Sequence, residues 1–173
     1  MAQRRSGGRL ILAVPLMHYP DLVHAVIASV PSDAAICSYP GCRTAAWTLG
    51  GKPLPYTRDF NNPAPADDPA AVIPDQRING PVFLDCGEAD ETWSSCPYAQ
   101  AILSRLDRDH DRWAHVLYAY PHAGHLVGEF APYEPVGPAA ISQMVPSPAA
   151  IAEAEPMLWQ HLVGFLAAWV SGS

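Results

Sequence analysis

Two apolar runs, each closed by a polar loop, constrain this chain more than anything else in it. Pro81-Val82-Phe83-Leu84-Asp85-Cys86 leads into Gly87-Glu88-Ala89-Asp90, and His115-Val116-Leu117-Tyr118-Ala119-Tyr120 leads into Pro121-His122-Ala123-Gly124-His125. Short continuous apolar runs of this kind read as strands covered on both faces, as in a parallel sheet. Between them, from about Pro97 to Leu106, the residues Ala99, Ile102, Leu103 and Leu106 recur at helical spacing. Strand, helix, strand in that order predicts a parallel pair joined by a right-handed crossover.

A third buried strand is expected over Leu22–Val30, which is rich in β-branched residues and ends at Pro31. The strand leading to the histidine loop is expected over Ala114–Tyr120. The last helix should start no later than Pro156, and Ser147-Pro148 suits an N-cap with proline at the first helical position. Leu158, Leu162, Phe165, Leu166 and Trp169 would form its buried stripe. Residues 1–8 are polar and expected to be loose, while residues 9–18 have the composition of a helix that Pro15 would kink or shorten. Residues 31–80 carry many of the 19 prolines and cannot hold regular hydrogen bonding for long. A loop of that length is more often a lid or binding loop than a plain connector, and Trp47, Leu54, Tyr56 and Phe60 offer it apolar anchors. A second proline-rich stretch covers Ala131–Pro148.

The length of 173 residues predicts one domain, and 49% hydrophobic against 16% charged residues predicts a folded one. The net charge of −7 gives no bulk attraction to nucleic acid or to an anionic membrane. No apolar run is long enough to span a membrane, and Leu10–Met17 lacks a signal-peptide cleavage site, so a soluble, cytoplasmic chain is expected. Cys86 reads as a small buried hydrophobe. A Cys37–Cys42 disulfide is open to the chain, though nothing in the sequence favours it.

The chemistry-bearing residues lie just past the strands. A hydrolytic triad needs a nucleophile, a histidine that takes its proton and a carboxylate that orients the histidine. Asp90 follows Cys86 by four positions and His125 follows Tyr120 by five, so both fall at the carboxyl ends of neighbouring strands, where loops of a doubly wound sheet converge. Gly124 would let the loop turn sharply ahead of His125. Taken singly, Asp90 would serve as a helix cap, as would Ser94 or Ser95, and His125 as a surface loop residue. His122 and His125 form a His-x-x-His pair that would need further ligands to hold a metal. His18, His24, His110, His115 and His161 read as structural or surface residues.

With these residues in view, positions 20–170 resemble the C-terminal catalytic domain of the acyl-CoA thioesterase and bile acid-CoA:amino acid N-acyltransferase family. The resemblance is carried by Tyr19–Ser32, by Ala46-Trp-Thr-Leu-Gly-Gly-Lys-Pro-Leu-Pro-Tyr56, and by Asn79–Leu84. It continues in Gly87-Glu-Ala-Asp-Glu-Thr-Trp-Ser-Ser95, in Tyr120-Pro-His-Ala-Gly-His-Leu126 and in the closing Trp159, Phe165 and Leu166. The tryptophan followed by Gly-Lys-Pro-Leu-Pro-Tyr is the most specific piece. The resemblance implies an α/β fold, the C-terminal part of an α/β-hydrolase, with about three parallel strands, flanking helices and a long proline-rich loop. It implies Asp90 as triad acid, His125 as base, and hydrolysis of an acyl-CoA thioester or acyl transfer from it.

The family's nucleophile stands in a Gly-x-Ser-x-Gly or Gly-x-Cys-x-Gly elbow. Here Arg4-Arg5-Ser6-Gly7-Gly8-Arg9-Leu10 occupies that place. Counting back from the glycines puts Arg5 at the nucleophile position and Ser6 one place later, so Ser6 is the candidate nucleophile. The strand that precedes an elbow, the earlier strands and the oxyanion-hole loop have no counterpart, so the chain reads as a single, truncated hydrolase domain. An unpaired sheet edge at Leu22–Val30 would favour homodimerisation. The competing expectation is a catalytically incomplete fragment that binds a partner chain or an acyl ligand. No cofactor is indicated, and a flavodoxin-like nucleotide binder lacks its glycine-rich phosphate loop.

Overall fold

The computed structural model describes residues 23–38, 41–108, 112–128 and 148–172. In chain order the elements are β1 (Val26–Ser29), β2 (Thr48–Leu49), β3 (Lys52–Pro53), β4 (Val82–Gly87), α1 (Ser95–Arg108), β5 (His115–Tyr120) and α2 (Pro148–Ser171). β1, β4 and β5 form a parallel sheet in that order, with Val26 opposite Val82 and Val82 opposite His115. α1 is the crossover between β4 and β5. This is the α/β architecture that the strand–helix–strand pattern predicts.

The side-chain alternation of β4 explains its unbroken apolar run. Val82, Leu84 and Cys86 face α1 and pack with Ala99, Ile102 and Leu106. Phe83 faces the opposite way into a second core with Tyr120 of β5 and with Ile151, Ala154, Leu158 and Leu162 of α2. The sheet is thus covered on both faces, and burying both sides of β4 is the main hydrophobic gain. Asp85 interrupts the run at the α2 side, where the Ser29 hydroxyl donates to its carboxylate at 2.6 Å.

Several boundaries differ from the sequence-based expectation. β1 starts at Val26 rather than Leu22, because its partner β4 begins only after Pro81, which has no N–H to extend the ladder. α1 reaches further at both ends than Pro97–Leu106. Pro97 falls in its first turn, where the missing N–H is not needed, and Arg105 and Arg108 suit the negative end of the helix dipole. α2 starts at Pro148 and runs through Pro156. Its Leu158 and Leu162 are buried, whereas Phe165, Leu166 and Trp169 are only partly covered. The readings of residues 1–8 and 9–18, of Ala131–Ser147 and of His18 and His110 lie outside the described residues.

The stretch 31–80 is packed down, though not chiefly by the aromatic anchors. Trp47, Leu54, Tyr56 and Phe60 are half-buried, while Ala34, Ala35, Ile36, Ala71 and Ile73 are buried. β2 and β3 form a small hairpin whose turn is Gly50-Gly51, both at positive φ (56° and 79°), the geometry that fits strand twist. Single bridges join Ala34 to Val72 and Ile36 to Thr57. An ionic cluster fastens the stretch as well. Arg105 of α1 bonds the Asp33 carboxylate at 2.9 Å, the Asp75 carboxylate and the Ile73 carbonyl at 3.0 Å.

Two carboxylates on one guanidinium cannot both be charged without cost. Burial pushes Asp33 up to about 6, against the pull of Arg105, and Asp75 up to about 7, with Asp33 adding to its rise. A carboxyl with a raised folded-state value binds its proton more tightly than the unfolded chain does. Its contribution to stability is therefore present at low pH and lost as pH rises from about 4 to about 7. Asp75→Asn keeps the shape without the charge, so its midpoint of thermal unfolding should gain on the wild type across that interval. Arg105→Ala, which strands both acids, should cost about 3–5 kcal/mol in denaturant unfolding at neutral pH.

Candidate active site

The loops after β4 and β5 meet at the carboxyl rim of the sheet. Glu88 N–H donates to the Tyr120 carbonyl at 3.1 Å and Ala89 N–H to the Ala123 carbonyl at 2.9 Å. Gly87 makes this approach feasible: a Cβ there would lie 2.3 Å from the Ala123 oxygen and 2.6 Å from the Gly124 oxygen. The sharp turn expected of Gly124 is instead made by His122, which is exposed and has φ of 63°. His125 itself is buried.

Across this junction His125 Nδ1–H donates to Asp90 Oδ2 at 3.0 Å. The other Asp90 oxygen accepts the N–H groups of Thr92 at 2.9 Å and Trp93 at 3.3 Å. The capping role and the role of histidine partner, which the sequence leaves as alternatives, are thus divided between two oxygens of one carboxylate. The cap closes the turn ahead of α1 rather than α1 itself. Ser94 spends its hydroxyl on Asn61, at 3.0 Å. With Nδ1 committed, Nε2 has no hydrogen-bond partner among the described residues. A buried imidazole with one nitrogen held by a carboxylate and the other open is equipped to accept a proton from an attacking group.

Trp93 is the neighbour that the spacing of polar residues does not reveal. Its ring stands edge-to-face with His125, centroids 4.3 Å apart at 81°. Its Nε1–H donates to the Val30 carbonyl at the end of β1, at 3.1 Å. Ser6 lies outside the described residues, as do Arg5, Gly7 and Gly8. His161 is structural: its Nδ1 lies 2.9 Å from the Tyr120 hydroxyl and its ring stacks on Tyr118 at 3.9 Å. Burial and the nearby Asp85 charge push the Tyr120 phenol up, keeping it neutral. Among the described residues no three His, Cys, Asp or Glu side chains gather as a metal site.

The cysteines correct the sequence reading. Cys86 is buried as expected, but it is half of a disulfide with Cys96, and Cys37 pairs with Cys42. Cys86 lies one residue before the end of β4, on the face that α1 covers, and Cys96 lies in the first turn of α1, so the fold itself sets them side by side. The bond closes a ring around the turn that carries Asp90 and Trp93.

Beyond the geometry, residues 48–171 match the family described as BAAT / acyl-CoA thioester hydrolase C terminal. The chain belongs to that family. This BAAT-family chain is similar to acyl-coenzyme A amino acid N-acyltransferase 2 of Rattus norvegicus, with 32% identity over 92 residues, covering 53% of this chain and 19% of the relative. To the Mus musculus protein of the same name it is 38% identical over 65 residues, covering 38% of this chain and 15% of the relative. The chain thus spans less than a fifth of the length of these curated relatives.

Both disulfides can be checked directly. Thiol titration of the denatured, unreduced BAAT-family chain should find none of the four cysteines reactive. The double variant Cys86→Ala/Cys96→Ala should lose about 2–3 kcal/mol of stability, the entropy of a ring this size.

Proposed function

We propose that the chain provides the acid–base pair of an acyl-CoA hydrolase or acyltransferase. His125 takes a proton at Nε2 from the group that attacks the thioester carbonyl. Asp90 holds Nδ1–H and stabilises the imidazolium that results. The imidazolium returns that proton to the departing sulfur, CoA leaves as the thiol, and the neutral His125 then takes the proton of the water or amino acid that accepts the acyl group. Ser6 is the candidate nucleophile, whose hydroxyl would surrender the first proton. The observation that carries the reading is the 3.0 Å Asp90–His125 bond at the rim of a parallel sheet in a BAAT-family chain. The names of its relatives, acyl-coenzyme A amino acid N-acyltransferases, support the substrate class.

No described helix is long and apolar enough to cross a membrane. Disulfides persist in oxidising compartments, so the Cys37–Cys42 and Cys86–Cys96 bonds favour such a location over the cytoplasm expected from the absence of a signal-peptide cleavage site and a membrane-length run.

A second reading, a binding module that pairs with another copy, has its own support. α2 leaves Met157, Val163 and Val170 exposed, and the sheet hydrogen-bonds β1 to β4 on one edge.

Thioester hydrolysis followed by release of free CoA thiol separates the two readings. His125→Ala should lower the rate about 10²–10⁴-fold and Asp90→Asn by a similar factor. Ser6→Ala should abolish any covalent acyl intermediate. Equal turnover in wild type and His125→Ala, together with a dimer in sedimentation, would favour the binding module.

A further inference from the structure

We propose that Trp93 is a positioning residue that sets the plane of the His125 imidazole by bracing it against the end of β1. The inference rests on reading Asp90 and His125 as the acid–base pair. The Cβ–Cγ bond and the single Nδ1–H···Oδ2 bond hold one side of the ring and leave it a limited rocking motion that carries Nε2 with it. A further contact narrows that motion, and the edge-to-face indole of Trp93 is the aromatic contact that His125 makes.

The indole is in turn held from two sides. Trp93 N–H donates to Asp90 Oδ1, so acid and brace sit in one turn and move together. Trp93 Nε1–H donates to the Val30 carbonyl. Val30 is a poor place for a soft anchor to form by accident. It is buried and β-branched, yet it adopts a positive φ of 41°, and its N–H is tied to the Asp85 carbonyl at 2.8 Å. The carbonyl that receives the indole is therefore held by the sheet itself. Through Trp93 the ends of β1, β4 and β5 are linked at the imidazole, and Nε2 keeps one direction. Trp93 belongs to neither apolar core and is only half-buried, so filling space does not account for its three contacts.

The test reads the His125 Nδ1 proton by nuclear magnetic resonance, identified by its loss in Asp90→Asn, and measures its exchange with solvent. Trp93→Ala should speed that exchange on the order of tenfold, the worth of one aromatic pair, while amide protection of Phe83 and Leu84 in β4 stays as in the wild type. Trp93→Phe keeps a ring but loses the bond to Val30, and should give a smaller, several-fold increase. Unchanged exchange in Trp93→Phe and Trp93→Ala would overturn the proposal. So would an increase matched by the core amides, which would make Trp93 a filler. If Trp93→Ala does not fold, Trp93→Phe alone decides, with several-fold faster exchange expected and none overturning. Because the readout is independent of turnover, a wild type without thioesterase activity would sink the acid–base reading while leaving the bracing role to be judged on exchange.

Discussion

β4 is the strand on which the rest of the structure leans. It is paired in parallel on both edges and packed on both faces, by α1 through Val82, Leu84 and Cys86 and by α2 through Phe83. A strand confined in four directions has one way to stand. Its carboxyl end therefore delivers Gly87, and the turn behind it, to a fixed place. The absence of a side chain at Gly87 lets the Ala123 and Gly124 carbonyls come against it, and the histidine loop settles within bonding distance of Asp90. The site is a consequence of how tightly that one strand is held.

Buried charge is handled differently at the site and where α1 meets the proline-rich stretch. Near the site, each polar group has a small number of directed partners: Asp90 divides its oxygens, and Asp85 receives Ser29. Where the proline-rich stretch meets α1, two acids share Arg105. Proline removes backbone donors, so this stretch cannot be secured by a ladder, and side-chain charge takes over the work. An ion cluster fastens well only while its protons are suitably placed, which makes the attachment of this segment sensitive to acidity in a way the sheet is not.

Much of the fold was legible from residue order. The unbroken apolar character of Val82–Cys86 announces a strand covered on two sides, and the three-four spacing from Ala99 to Leu106 announces a helix above it. Element ends were less legible, since the start of β1 depends on where its partner's Pro81 falls in space. Asp90 and His125 stood out because each follows a strand by a few residues. Trp93 did not, because its meaning comes from the Val30 carbonyl, which is 63 residues away along the chain. The Asp33–Asp75–Arg105 cluster has no sequence signature for the same reason: none of the three has a local pattern. The Cys86–Cys96 bond was masked by the apolar company of Cys86.

Local rules of hydrophobic period and proline placement were enough to specify the α/β class and the loops that carry the acid and the histidine, because both depend on neighbours within a few residues. Which oxygen meets which nitrogen, which aromatic ring lies beside the imidazole, and which cysteines join were decided only when β1, β4 and β5 were laid edge to edge. Those contacts are made between strand ends that are remote in the chain, and their geometry exists only after the sheet has formed.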